Sequence, residues 1–226
     1  MKYITGNWKS NKTTAEGLRW LEQFAGIWHP GKDLSVVIAP PMVSIESLAA
    51  EAKHLRLEHF FFAAQDLSPF PRGSYTGAVA ADLLKGVVQY AIVGHNERRR
   101  YFQENVQDAL NKAAEAVDAG IVPLVCVADV AEVSRLSSLA DLNGRVMLAY
   151  TPTDPAVSGI PESAEKITGM VTRMKRAVPG AIILYGGAVT GKNAAALLAV
   201  EGVDGLFVGK ASLDPANFAA VCAAAA

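Results

Sequence analysis

Ala91-Ile92-Val93-Gly94-His95-Asn96-Glu97-Arg98-Arg99-Arg100 is the stretch on which the fold turns. A short apolar run ends at Gly94, and a histidine, a glutamate and three arginines follow. Such a run reads as a buried parallel strand that carries His95 and Glu97 to its C-terminal end, where the chain turns into a helix. In parallel α/β folds that edge is where ligands bind. Taken alone, a histidine ahead of a charged helix start is more often an ordinary surface feature. The ends of the other strands decide the matter.

Working outward, apolar runs recur near Tyr3–Asn7, Ser35–Ala39, Phe60–Ala64, Tyr90–Gly94, Pro123–Val127, Val146–Tyr150, Ala181–Tyr185 and Gly205–Val208. They are nearly continuous in hydrophobicity, as expected of strands buried on both faces. Helical spacing fills the intervals: Thr14–Ile27 with Thr13 or Thr14 as N-cap, Ser44–Ala52, Ala78–Lys85, Val106–Ala119 closing at Gly120, Pro161–Ala177, Asn193–Ala199 and Pro215–Ala225. Only a short helix, Val130–Ala140, fits before the sixth strand. Strand then helix, eight times, predicts an α/β fold of the (β/α)8 type, a single TIM barrel over residues 1–226. No G-x-G-x-x-G follows any strand, which disfavours a doubly wound open sheet.

Composition excludes several classes. The chain of 226 residues is 51% hydrophobic, enough for a large core. Its net charge of -1 asks for neither nucleic acid nor an anionic membrane surface, and three arginines are too few for a nucleic-acid patch. Cys126 and Cys222 form neither a disulfide framework nor a C-x-x-C metal site, which fits a reducing, cytoplasmic setting. The N-terminus has no long apolar region of a signal peptide, and no run approaches the ~20 apolar residues of a membrane span.

The strand ends carry motifs in a fixed order: Gly6-Asn7-Trp8-Lys9, Ala64-Gln65-Asp66 leading to Ser74-Tyr75-Thr76-Gly77, Gly94-His95-Asn96-Glu97-Arg98, Tyr185-Gly186-Gly187-Ala188-Val189, and Val208-Gly209-Lys210-Ala211-Ser212. One such motif is weak. All five in sequence closely resemble the triosephosphate isomerase family, over nearly the whole chain. The resemblance implies an aldose–ketose isomerase of glycolysis and gluconeogenesis that interconverts glyceraldehyde 3-phosphate and dihydroxyacetone phosphate, with no metal and no organic cofactor. The family is a standard example of its chemistry: a glutamate base, a neutral histidine electrophile and a loop that excludes water. Carried over residue by residue, Lys9 places a positive charge near the phosphate and the enediolate, and Asn7 supplies a hydrogen bond. His95 is the electrophile and Glu97 the carboxylate that orients Lys9. Gly186, Gly187 and Gly209 hold phosphate through backbone N–H groups.

The sequence departs from the family pattern in one half of this site. Where the family's sixth strand ends Tyr-Glu-Pro, this chain has Tyr150-Thr151-Pro152, so Thr151 stands in place of the catalytic base. A threonine hydroxyl is no general base near neutral pH, and loss of such a base typically costs about 10²–10⁴ in rate. The following lid reads Thr153-Asp154-Pro155-Ala156-Val157-Ser158-Gly159, with Asp154 for a lid-anchoring Trp and Val157 for a phosphate-binding Gly that tolerates positive φ. Ala188 replaces a serine that meets the closed lid, and Lys210 replaces the second glycine of the phosphate pair. Lys210 either grips phosphate by its side chain or fills the site. Asn96 stands for a serine, and Ala128-Asp129 for Gly-Glu.

Three expectations follow: an isomerase with activity lost or strongly reduced, a non-catalytic barrel that binds a phosphorylated metabolite or a protein partner, or a related sugar-phosphate isomerase that uses Asp154 or Asp129 as its acid or base. The segment Gln65–Gly77 is long for a loop and in the family docks a second subunit, which implies a homodimer. Tyr75-Thr76-Gly77 and Glu104 match there, while Pro71-Arg72 and Ala78 differ.

Overall fold

The computed structural model describes residues 1–29, 31, 33–142 and 146–225. Eight parallel strands close on one another in chain order: β1 (Lys2–Asn7), β2 (Leu34–Ala39), β3 (Phe60–Ala64), β4 (Tyr90–Val93), β5 (Val122–Val127), β6 (Met147–Tyr150), β7 (Ile182–Tyr185) and β8 (Gly205–Val208). Closure comes from β1 lying between β2 and β8, with Asn7 opposite Ala39 and Gly6 opposite Val208. The structure is the expected (β/α)8 barrel, and each strand lies within a residue of its expected bounds at either end.

Each strand buries both faces, which is why the runs are apolar throughout. On β2, Val37 and Ala39 point into the barrel with Ala63, Ile92, Leu124, Met147, Ala149, Leu184 and Phe207. Leu34, Val36 and Ile38 point outward onto the helices. Burying one such side chain contributes about 1.5–3 kcal/mol.

The outer layer comprises α1 (Thr14–Ala25), α2 (Ile45–His54), α3 (Ala81–Leu84), α4 (Asn96–Phe102), α5 (Val106–Asp118), α6 (Val130–Val133), α7 (Thr153–Ser158), α8 (Ala164–Ala177), α9 (Ala194–Leu198) and α10 (Pro215–Ala223). Among the described residues, 3-10 turns at Met42–Ser44, Leu136–Leu142 and Lys210–Leu213 complete it. Thr13 is the N-cap of α1 and forms a reciprocal capping box with Glu16. Gly120 takes φ +78 just past α5, the left-handed turn that ends a helix. The helix expected over Val130–Ala140 is instead α6 followed by a 3-10 segment. Two short elements lie where loops were read: α7, on the lid, and the 3-10 turn at Lys210. None of the helices among the described residues is long and apolar enough to cross a membrane.

One aromatic ladder binds the N-terminal part of the barrel to its C-terminal helix. Trp20 stacks on Phe24, Phe24 on Trp28, and both Trp20 and Phe24 meet Phe218 of α10. Trp8, fully buried at the end of β1, packs edge-on against Trp20. It also donates its indole N–H to the Ser212 carbonyl at 3.1 Å. Strand-end residues near the two termini are thereby held side by side.

Candidate functional site

The site is built at the C-terminal ends of the strands. Gly94 turns the chain out of β4 with φ +66, and an added Cβ would come within 2.8 Å of Ala109. Only glycine fits there. The turn places His95 as the N-cap of α4, with its Nδ1 accepting the Glu97 amide at 3.2 Å. That bond makes Nδ1 an acceptor, so the neutral ring carries its proton on Nε2. Burial of the imidazole, with Lys9 and Arg99 assisting against Glu97, lowers its pKa to about 4. The Glu97 carboxylate also lies 3.6 Å from Nδ1. With that nitrogen unprotonated, the contact is not an ion pair.

Lys9 leaves β1 in the left-handed region, φ +52, and three groups hold it there. Asn7 Oδ1 accepts the Lys9 amide at 2.9 Å. Gln65 Nε2 donates to the carbonyls of Lys9 and Ala39, both at 2.9 Å. The ammonium then meets Glu97 Oε1 at 2.6 Å. Lys9, His95 and Glu97, from two strands, therefore converge on one cavity of about 750 Å³. Asn7 does not line it and instead fixes the turn that presents Lys9.

Thr151, at the end of β6, also lines the cavity. Its amide donates to the Val127 carbonyl at 2.8 Å, and its hydroxyl oxygen, shielded from solvent, has no hydrogen-bond partner. Below it, burial pushes the Cys126 thiol up to about 12, opposed by the Arg99 charge, so the thiol is no substitute base. Among the described residues, the carboxylates that line the cavity are Glu97 and Asp214. The first is committed to Lys9, and the second caps α10 by accepting the Asn217 amide. Neither Asp154 nor Asp129 reaches the cavity: Asp154 is exposed on α7, and Asp129 is exposed and caps α6 through the Glu132 amide.

The lid segment is the helix α7, so Val157 is helical and the objection to a positive φ at that position does not arise. Val157 faces solvent and Pro155 faces inward, beside Gly187. An added Cβ on Gly187 would strike the Tyr185 hydroxyl and come within 3.0 Å of Pro155. The Tyr185 hydroxyl in turn accepts the Glu162 amide at 2.9 Å, tying down the far end of the lid segment.

Gly186, Gly187, Gly209 and Lys210 all line the cavity, with Gly187 beside Pro155 of the lid. Ala188 takes φ +50, and Asn193 stabilises its turn by donating to the Ala188 carbonyl and accepting the Thr190 amide. Among the described residues, the amides of Gly187, Ala188, Gly209 and Lys210 have no hydrogen-bond acceptor. Free amides at one end of a cavity suit an anion. Ser212 braces the Gly209 carbonyl from its amide and its hydroxyl, at 2.9 and 2.7 Å. Trp8, Gln65, Asn193 and Ser212 support the site through hydrogen bonds. Trp8, Gln65 and Ser212 stand in the strand-end motifs, but the spacing carried no sign of these bonds.

A second polar cluster anchors the loop that begins at Gln65. Lys112, almost fully buried on α5, bridges Asp66 and Glu104, each at 2.7 Å. Arg98 meets the same two carboxylates at 2.9 and 2.6 Å. Burial pushes the Asp66 carboxyl up despite both cations. In Glu104 burial works in the same direction, but hydrogen bonds from Arg98 and Lys112 overcome it and hold the carboxyl below its usual range. From Phe70 to Ala78 the loop is exposed, and Phe70 and Tyr75 stack on each other with ring centres 4.7 Å apart. Among the described residues, no cluster of three or more His, Cys, Asp and Glu could hold a metal ion.

Comparison with known proteins agrees with this geometry. The sequence profile of the family described as triosephosphate isomerase matches residues 2–225. The chain is 34% identical over 250 aligned positions to the triosephosphate isomerase of Xanthomonas campestris pv. campestris (strain 8004), covering 100% of this chain and 98% of that relative. It is 32% identical over 249 positions to that of Symbiobacterium thermophilum, covering 99% and 96%. It is 30% identical over 240 positions to that of Mesomycoplasma hyopneumoniae (strain 232), covering 96% of both. With a closed barrel of eight parallel strands and a profile match along its length, the chain belongs to the triosephosphate isomerase family.

Proposed function

We propose that residues 1–226 act as one barrel domain that binds a small phosphorylated metabolite of the triose phosphate class, with aldose–ketose isomerisation lost or strongly reduced. The observation that carries this reading is the division of the site. Lys9, His95 and Glu97 stand ready to polarise a carbonyl, and Lys9 contacts Glu97 at 2.6 Å. His95 is neutral and can donate Nε2–H to a carbonyl oxygen, the role of an electrophile that holds a developing enediolate. The unpaired amides of Gly187, Ala188, Gly209 and Lys210 offer a phosphate grip, whereas the expected Gly186 amide is committed to the Tyr150 carbonyl at 2.8 Å. The position that would take the carbon-bound proton is Thr151, whose side chain has no partner that could ionise it. Moving a carbonyl to the adjacent carbon requires that proton to leave one carbon and return to the other, and among the described residues no free carboxylate in the cavity serves.

A coupled assay at high enzyme concentration tests this reading, alongside calorimetry with dihydroxyacetone phosphate. Binding with turnover at least about 10²-fold below a Glu-bearing relative supports it, that being the least a general base contributes. Full turnover overturns the loss of activity, and absence of binding overturns the ligand class.

We further propose that the chain forms a homodimer through Gln65–Gly77 and works in the cytoplasm. The exposed Phe70–Tyr75 stack on a loop anchored by buried charges supports the first. The two unpaired, buried cysteines fit the second. A monomer mass by light scattering at micromolar concentration would overturn the dimer.

A further inference from the structure

Gly209 and Lys210 share one trans peptide unit at the end of β8. In such a unit the carbonyl and the N–H point in opposite directions, so whatever holds one aims the other. The Gly209 carbonyl accepts two hydrogen bonds from Ser212, from its amide at 2.9 Å and from its hydroxyl at 2.7 Å. Ser212 is fully buried and does not line the cavity, whereas Gly209 and Lys210 do. The carbonyl is therefore turned into the protein and the Lys210 N–H toward the cavity, where among the described residues it has no acceptor.

Nothing in the unit itself enforces that direction. Gly209 has no Cβ, and one added there would come no nearer than 3.9 Å to another residue, at Lys9 Cε. A peptide unit between two soft dihedrals can turn over as a plane while the path of the chain is kept, most easily beside glycine. Turned over, this unit would aim a carbonyl oxygen at the cavity, which repels an anion. It would also leave both Ser212 donors buried without a partner, the costly outcome for a polar group. Ser212 is in turn held from β1. Its carbonyl accepts the Trp8 indole N–H at 3.1 Å. Gly6 leaves the room Ser212 occupies, since a Cβ added to Gly6 would come within 2.9 Å of the Ser212 Cβ. Gly6 lies opposite Val208, where β1 meets β8 and the barrel closes.

We propose that Ser212 is a positioning residue of the anion grip: its two bonds to the Gly209 carbonyl lock the peptide unit so that the Lys210 N–H faces the cavity before any ligand arrives. The inference rests on the reading that the cavity binds a phosphorylated metabolite, and it adds which buried residue presets the grip. A donor already aimed needs no reorientation when the anion binds, and that advantage appears as affinity. The control is specific to one donor. The Gly187 and Ala188 amides lie on a separate turn after β7, where Asn193 rather than Ser212 holds the Ala188 carbonyl, at 2.9 Å.

The test is calorimetry of glycerol 3-phosphate binding to the whole protein and to Ser212→Ala, joined to amide NMR of both. Ser212→Ala removes the hydroxyl bond and keeps the amide bond, so affinity is expected to fall at least about threefold, the scale of one hydrogen bond. At saturating ligand the Lys210 amide resonance should move downfield less than in the parent, while those of Gly187 and Ala188 move as in the parent. A smaller loss of affinity, or a Lys210 amide that moves as in the parent, overturns this inference and leaves the broader reading standing. Equal changes at all three amides also overturn it, because loosening of the whole site then explains the loss. The parent protein decides the matter even if Ser212→Ala fails to fold. Its Lys210 amide should exchange freely with solvent and become protected when glycerol 3-phosphate is added. An amide protected without ligand, or unprotected at saturation, overturns the inference. Failure of glycerol 3-phosphate to bind the parent at millimolar concentration overturns the broader reading and the inference with it.

Discussion

Thr151→Glu is the perturbation that most directly tests how the site is divided. The substitution removes no hydrogen bond of the side chain, since Thr151 Oγ1 has none. The backbone bond from the Thr151 amide to Val127 is untouched. Thr151 lines a cavity of about 750 Å³, which offers volume for the added atoms. On the proposed reading, Lys9, His95 and Glu97 need no change, and the substitution supplies the general base that Thr151 does not. A positioned general base contributes about 10²–10⁴ in rate. At about 1.36 kcal/mol per decade, that is roughly 2.7–5.4 kcal/mol of transition-state stabilisation. The assay is the coupled interconversion of glyceraldehyde 3-phosphate and dihydroxyacetone phosphate, parent beside variant, with cooperative unfolding of each recorded as a control. A gain of at least a hundredfold is expected. A folded variant with a gain below tenfold would refute the idea that the base is the main deficit, and would place the fault in the lid helix α7 and in Lys210.

Other outcomes follow from single contacts. His95 should stay neutral down to about pH 5, seen as an imidazole resonance that does not move between pH 7 and pH 5. Because its folded pKa is lowered to about 4, the unfolded chain binds the proton first, and stability falls as pH drops from about 6.5 toward 4, by on the order of 1–3 kcal/mol. Urea unfolding of His95→Gln at pH 7 and 4.5 should show a smaller loss than the parent; an equal loss excludes His95 as the cause. Lys112→Met leaves Asp66 and Glu104 short of a buried partner and should destabilise by about 3–5 kcal/mol in denaturant titration. Breaking the half-exposed Lys9–Glu97 pair with Glu97→Gln should change stability by less than about 1 kcal/mol. It should nonetheless weaken ligand binding measurably, since Glu97 orients Lys9. Gly187→Ala forces a methyl group against Tyr185 and Pro155 and should cost about 1–3 kcal/mol, read as a lowered melting temperature.

The barrel itself was legible in the chain. Parallel strands bury both faces, so each had to be an apolar run, and each run lies within a residue of its strand at either end. Turn chemistry was legible too, in the Thr13 capping box and in Gly120 after α5. The residues of the candidate site stood out because ligand-facing groups gather at strand ends, which are local features of sequence. Helix bounds were less legible: α7 and the 3-10 turn at Lys210 are too short to show a hydrophobic period.

What tertiary structure alone decided is the state and company of those groups. Gln65 holds the carbonyl of Lys9 across 56 residues, and Trp8 reaches the Ser212 carbonyl across 204. No local pattern encodes such pairs: the first forms only when β1, β2 and β3 lie side by side, the second only when the barrel closes and β1 meets β8. The neutral state of His95 depends on burial and on a bond to the Glu97 amide, both products of packing. Asp154 offered a carboxylate close to Thr151 in sequence, yet the turn of α7 carries it to solvent and brings Pro155 inward. By itself the sequence determined which residues arrive at the mouth of the barrel, since strand period and order set that. The closed barrel determined which of them meet there, because contact, burial and protonation depend on distances that close only in three dimensions.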